Sequence, residues 1–449
     1  MHLIVIGGVA AGTKAAARAR RVDRDMAITL YQDETEVSYT ACGQPYYLSG
    51  VVPTREALII RRAADFAAEG IDVRLRHRVT RLNTRERTVE VHDLEHDRIN
   101  LAHYDRLILA TGARAVVPPI AGNDLDGVVT LRTMAELDRF RSALDRLQPR
   151  NALIVGSGYI ALEAAESLHA LGLTVTLAGR NRQIFSRLDA DMSQLIHDYL
   201  VSRDVRIVVG EGVAGIAGEA GRVAAVLTTG GRRLSADLVV LALGARPNVE
   251  LAEQGGIRLG PTGAIAVDAR METSVAGVFA AGDCVESRHR LTQAPVWGPL
   301  GDIANLQGRV AGENAAGGDA RFPGVFGTAI FRTFDLNVGL TGLTEAAARA
   351  AGFEPVATLI TARDKARYYP GAQPVHLKLV ADAGGGRLLG AQAVGPGAVD
   401  KMIDIAATAL LGNLSCRDLE NADLAYAPPF SPVLSPVIVA ASALSKKLG

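Results

Sequence analysis

Two stretches of the chain share one pattern of apolar, small and polar positions. In HLIVIGGVAAGTKAAARARRVDRDMAITLYQDE, from His2, an apolar run enters a glycine turn, an Ala/Arg-rich segment follows, and a second apolar run closes the pattern. NALIVGSGYIALEAAESLHALGLTVTLAGRNR, from Asn151, repeats that order. Strand, glycine turn, helix and strand in this order predict a βαβ unit with a parallel strand pair. In the second copy Gly156, Gly158 and Ala161 form GxGxxA around Tyr159 and Ile160, the arrangement that a dinucleotide pyrophosphate at a helix N-terminus requires. In the first copy Gly7, Gly8 and Gly12 surround Val9 and Ala10, so the middle glycine of GxGxxG is absent.

A second design also occurs twice. YDRLILATGARAVVPP, from Tyr104, and ADLVVLALGARPNVEL, from Ala236, are each a strand, a small-residue turn and a proline-containing exit. They place Ala110, Thr111 and Gly112 in one turn and Gly244 in the other. In TSVAGVFAAGDCVE, Gly282 and Asp283 end a strand, where a carboxylate is positioned to accept a hydrogen bond from a bound polyol. Two nucleotide folds with this strand-end Gly-Asp predict two nucleotides, one of them a flavin. After Phe326 the pattern changes to TAIFRTFDLNVGLTGL and PVHLKLVADAGGGRLLGAQAVG, alternating strands, and then to the apolar helix DKMIDIAATALLG, which predicts an α+β domain.

Composition narrows the partners. With 449 residues, 48% of them apolar, and 47 glycines, the chain is long enough for two or three domains with sizeable cores. Lys plus Arg and Asp plus Glu both total 48, so no net field points to nucleic acid or an anionic membrane. The first apolar run has no basic lead and breaks at glycines, so neither a signal peptide nor a spanning helix is expected, and a cytoplasmic location is. Cys42, Cys284 and Cys416 lie far apart with no CxxC or metal-ligand spacing, so neither a disulfide framework nor a metal site is expected.

Taken together, GGVAAG, ACGQPYY, the ATG and AAGD segments, RYYPG (Arg367 to Gly371) and YAPPFS (Tyr426 to Ser431) resemble the pyridine nucleotide-disulfide oxidoreductases over essentially the whole chain. The similarity is to their single-cysteine branch, which holds coenzyme A disulfide reductases and NADH oxidases and peroxidases. It implies an α/β fold with two Rossmann-like dinucleotide-binding domains and a C-terminal α+β dimerisation domain. FAD is then expected on residues 1–115 and 245–325, NAD(P)H on 116–244, and dimerisation on 326–449. It also implies a homodimer whose active sites take residues from both subunits.

The resemblance gives Cys42 a role. Two-cysteine members such as glutathione reductase carry a second Cys five residues on, where this chain has Tyr47. A lone thiol beside a flavin cycles through a mixed disulfide with a small thiol, or through a sulfenic acid after peroxide. Oxidase and peroxidase members carry a His in the first glycine turn, and here that position is Ala10. RYYPG and Tyr426 match the tyrosines that coenzyme A disulfide reductases bring to the cysteine across the dimer interface, Tyr368 and Tyr369 being equivalent at this level. A phenol is a suitable acid for a leaving thiolate. The expected activity is therefore NADPH-dependent reduction, through FAD, of a Cys42 mixed disulfide, with Ser38 and the backbone near Gly43 shaping the thiol pocket. The alternatives are an NAD(P)H oxidase, peroxidase or persulfide reductase, or a flavin redox sensor without dedicated turnover. Cys284 and Cys416 are expected to be structural.

The nucleotide and substrate positions show departures. NAD-type folds end their second strand with an acid for the ribose diol, whereas this chain has Gly179, Arg180, Asn181 and Arg182, which favours the 2′-phosphate of NADPH, with NADH as the alternative donor. Gln32 stands where an acid usually meets the FAD ribose, leaving Asp33 or Glu34 to contribute. Lys14, Arg18 and Arg21 share one face of the first helix and suit an anionic thiol. An Asn that often precedes the cysteine is Ala41, and a Lys common after the PP pair is replaced at Leu434. A coenzyme A disulfide or a smaller anionic disulfide is the expected substrate.

Overall fold

The first βαβ pattern opens one of two compact units in the computed structural model, which describes residues 1–449. This unit comprises Met1–Val116, Thr130–Arg146 and Gly244–Val325. Strand His2–Ile6 lies between Ala27–Tyr31 and Arg106–Leu109, and Ile71–Arg74 and Val278–Ala280 complete a five-stranded parallel sheet. Leu3, Ile4 and Val5 are wholly buried, each such side chain contributing roughly 1.5–3 kcal/mol. That burial on both sheet faces is why the strand reads as an unbroken apolar run.

Helix Ala10–Val22 packs on this sheet and against helix Gly301–Ala315. The contact is backbone to backbone: a Cβ on Gly308 would lie 2.3 Å from the Ala11 carbonyl oxygen, and one on Gly312 2.1 Å from that of Ala15. The Ala and Gly content of both helices therefore reflects close approach. The two exit strands of the repeated turn design, Ala113–Ala115 and Ala245–Pro247, pair antiparallel with each other. A three-stranded antiparallel meander, His77–Asn83, Thr88–Asp93 and Arg98–His103, completes the unit.

The other unit comprises Val117–Val129, Leu147–Leu243 and Phe326–Gly449. Its parallel sheet runs Arg206–Val209, Thr174–Gly179, Asn151–Val155, Leu238–Leu241 and Val128–Val129. Its C-terminal part is a five-stranded antiparallel sheet in the order Ala329–Thr333, Leu336–Gly342, Leu388–Gly395, Pro374–Asp382, Pro355–Arg363. Helix Val399–Leu411 covers it, and Gly339 provides the room: a Cβ there would sit 2.6 Å from Ile403. No helix of the protein is long and apolar enough to cross a membrane.

Candidate active site

The first glycine turn is shaped by sterics. Gly7 holds φ at +103°, where a Cβ would lie 2.1 Å from the Ala110 carbonyl oxygen, and a Cβ on Gly12 would lie 1.8 Å from that of Gly7. Only glycine lets the turn close onto the Ala110–Gly112 strand end and start the helix at Ala10, with Val9 as N-cap residue. Gln32 is buried, and its Oε1 accepts from the Gly8 amide at 2.8 Å. Its carbonyl is thus used inside the turn. Asp33 is exposed and paired with Arg78 at 3.2 Å, whereas Glu34 is half-buried and accepts from the Tyr39 hydroxyl at 2.9 Å. Burial pushes the Glu34 carboxyl up, against the lowering effect of Tyr39.

The other strand ends converge in the same unit. Thr111 donates to the Asn248 carbonyl at 2.7 Å, and Gly112 and Gly244 hold positive φ with open space where a Cβ would project. The Gly282 amide donates to Gln307 Oε1 at 2.9 Å. Asp283, half-buried, pairs with Arg132 at 2.5 Å, and Arg132 also donates from Nε to the Ala113 carbonyl. Trp297 donates to the Asp283 carbonyl at 2.9 Å. Arg132, Trp297 and Gln307 had no sequence signal, because each acts on a position more than ten residues away. A glycine-lined helix start, open positive-φ glycines and a strand-end carboxylate fit the pyrophosphate and polyol of FAD.

Cys42 lies on this unit. It is exposed, on the 3₁₀ turn Ala41–Gly43 that leads into the short helix Gln44–Leu48. Ser38 joins this stretch to the dinucleotide turn: its amide donates to the Gly8 carbonyl at 2.8 Å, and its φ is +54°. Gly43 leaves room for Leu58, which a Cβ would meet at 2.6 Å, and buried Gln44 donates to the Arg132 carbonyl at 3.3 Å. Tyr47 is half-buried and Ala41 partly exposed. Cys284 is buried, its thiol pushed up by burial and donating to the Leu109 and Ala281 carbonyls; burial pushes the buried Cys416 thiol up to about 11. Of the three cations on the first helix, Arg18 is engaged by Glu313 at 2.7 Å, Lys14 is partly exposed and Arg21 exposed. The helix face therefore presents less free positive charge than its spacing suggests.

The second unit holds the other turn. Gly156 has φ +133°, and a Cβ would lie 2.1 Å from the Ala242 carbonyl oxygen; Gly158 is the N-cap of helix Tyr159–Ala170 and faces open space. The Tyr159 ring packs edge-on against Phe185 (4.8 Å) and Phe331 (5.2 Å), with Arg187 at 5.5 Å over its face, while Ile160 is exposed. Gly179 ends its strand, and Arg180 and Arg182 beyond it are exposed without ion pairs. Arg187 adds a third exposed guanidinium that the spacing gave no reason to include. Glu163, one turn beyond Tyr159, is half-buried and pushed up to about 7, first by burial and then by Glu166.

The same unit separates the tyrosines. Tyr368 is 76% exposed, Tyr426 48% and Tyr369 36%. Tyr426 and Tyr368 meet through their hydroxyls, and burial followed by this neighbour pushes Tyr426 up. The amide of Ala366 donates to the Pro428 carbonyl at 3.3 Å, tying the two loops together.

Two dinucleotide-type folds, an exposed thiol joined to one of their turns and a phenol pair define a nucleotide-linked thiol oxidoreductase. The chain belongs to the pyridine nucleotide-disulphide oxidoreductases: that family's model matches residues 1–297, and the model of its dimerisation domain matches residues 328–437. FAD and NAD(P)H are the cofactors of this family. The chain is 39% identical over 443 residues to an NAD(P)H sulfur oxidoreductase (CoA-dependent) of Pyrococcus abyssi, covering 98% of both chains. It is 32% identical over 431 residues to a coenzyme A disulfide reductase of Staphylococcus haemolyticus, covering 96% of both. Among solved structures, an NAD-dependent persulfide reductase from A. fulgidus is 40% identical with a TM-score of 0.97, the match covering all of this chain and 83% of that one.

Proposed function

We propose that the protein oxidises NADPH and reduces a low-molecular-weight disulfide, with Cys42 as a one-thiol exchange centre. The observation that carries this is the setting of Cys42: exposed, on a stretch hydrogen-bonded to the dinucleotide turn, with Tyr47 where a resolving cysteine would stand. The Cys42 thiolate attacks one sulfur of the substrate, so that one S–S bond forms as another breaks and the displaced sulfur leaves as a thiolate. A phenol of the Tyr368–Tyr426 pair, contributed by the partner protomer of a homodimer, supplies the proton that makes it a thiol. FAD, when bound, supplies with NADPH the electron pair that returns the mixed disulfide to the Cys42 thiolate and a second thiol.

The glycine turn and Asp283 are the residues that would hold FAD, on residues 1–115 and 245–325. Residues 116–244 would hold the nicotinamide nucleotide and 326–449 the dimer contact. Arg180 and Arg182, exposed and without ion pairs at the strand end, support a 2′-phosphate and hence NADPH. A clear NADH advantage in steady-state kinetics would overturn that preference.

Anaerobic NADPH oxidation that depends on added disulfide, together with a mass adduct on Cys42 that dithiothreitol releases, is the expected result. Equal consumption with oxygen or peroxide alone would instead favour an oxidase, and none with any acceptor a redox sensor. A second reading, reduction of a persulfide at the same cysteine, is supported by the similarity to the sulfur and persulfide relatives, 39% and 40% identical. Faster turnover with a persulfide of a small thiol than with its disulfide would select it.

A further inference from the structure

We propose that Arg367 is the anion-recognising residue of the substrate site and selects disulfides carrying a phosphate or carboxylate. This rests on the disulfide reading above and adds to it the residue that reads substrate charge.

Arg367 stands on a braced turn. Buried Asp364 accepts from the Gln373 amide at 2.7 Å, and its own amide donates to the Gln373 carbonyl at 3.0 Å. Arg363 donates to the Ala372 carbonyl at 2.9 Å, and the Tyr369 amide to the Ala366 carbonyl at 2.8 Å. The bond from Ala366 to Pro428 fastens this turn to the segment that carries Tyr426. Arg367 and Tyr368 are therefore presented together, beside the hydroxyl contact between Tyr368 and Tyr426.

Two of the neighbouring cations are already committed, and Lys365 on the same turn is half-buried. Arg363 is spent on its own turn and Lys401 on the Phe430 carbonyl at 3.4 Å, whereas Arg367 is exposed with neither an ion pair nor a hydrogen bond. After Tyr426 the C-terminal segment adds exposed apolar side chains, Phe430, Val433 and Leu434. In the other unit Arg18, one of the expected anion ligands, is neutralised by Glu313. A guanidinium stays charged at any working pH and grips phosphate or carboxylate with two parallel hydrogen bonds, so a free arginine next to the phenols is suited to hold an anionic thiol.

The test compares wild type, Arg367→Gln and Arg367→Lys on coenzyme A disulfide, glutathione disulfide and pantethine, which carry phosphate, carboxylate and no charge. For whichever anionic disulfide the wild type reduces, Arg367→Gln should lower kcat/KM about tenfold, mainly through KM, which corresponds to about 1.4 kcal/mol. Pantethine turnover should stay within about twofold, showing that the variant is folded and loaded. Arg367→Lys should recover part of the loss, and in the wild type the advantage of the anionic disulfide should shrink as salt is raised. Equal loss on all three substrates, no loss on any, or a wild type active on pantethine alone would overturn the assignment. A wild type that reduces none of the three removes the disulfide reading itself, and this assignment with it.

Discussion

Replacing Glu163 by Gln exchanges a carboxyl for an amide of nearly the same shape on helix Tyr159–Ala170. In the wild type this carboxyl makes no hydrogen bond or ion pair, and burial, then the Glu166 charge, push it from 4.5 to about 7. The folded chain thus binds the proton more tightly than the unfolded chain, and stability is lost as pH rises between those two values. The penalty is absent below about pH 4.5 and complete above about pH 7. At about 1.36 kcal/mol for each tenfold change in acidity, it amounts to about 3 kcal/mol, reduced toward about 2 kcal/mol by partial solvation of the group. Gln carries no such penalty. Urea unfolding of both proteins at pH 5, 6, 7 and 8 should show near-equal stability at pH 5 and an advantage for Glu163→Gln of about 2–3 kcal/mol at pH 8. A difference that does not change with pH, or a variant less stable at pH 8, would refute the reasoning.

Three further outcomes are expected. Tyr426→Phe and Tyr368→Phe should each lower kcat for disulfide reduction about 10- to 100-fold with little change in KM, while Tyr369→Phe stays near wild type; single-turnover thiol release reads the step directly. Lys378, 5% exposed, meets Glu345 at 2.6 Å, Asp191 at 2.9 Å and Asp189 at 3.2 Å. Lys378→Met should cost about 3–5 kcal/mol in urea unfolding by leaving three carboxylates without their cation. Burial alone would lower the Lys378 ammonium, but Glu345, Asp191 and Asp189 raise it, so its stabilisation is fully present below pH 10.5 and lost only above. Gly156→Ala, placing a Cβ 2.1 Å from the Ala242 oxygen at φ +133°, should raise KM for NADPH and leave FAD content unchanged, measured by kinetics and absorbance.

Much of the architecture was legible because parallel strands buried on both faces leave continuous apolar runs, and because glycine is demanded where Gly7, Gly12 and Gly156 approach other backbone. The antiparallel C-terminal sheet was legible from its alternating strands, of which Leu388–Gly395 is buried along its whole length. At the site, the strand-end Gly282 and Asp283 were legible from local pattern, whereas Cys42 was singled out by the family resemblance. Local spacing misjudged the availability of Arg18, whose partner Glu313 is 295 residues away, and it was silent on Arg132, 151 residues from Asp283.

The sequence by itself determined the two dinucleotide folds, and it shows that Tyr47 stands five residues after Cys42. These follow from residue type and from spacings of a few positions, which local sterics enforce. Only the tertiary structure decided that Gln32 serves the Gly8 amide, that Tyr368 rather than Tyr369 meets Tyr426, and that Arg367 stays uncommitted while Arg18 and Arg363 are paired. Such choices depend on which donor and acceptor the packing of distant elements brings within about 3 Å, a distance that no periodicity along the chain encodes.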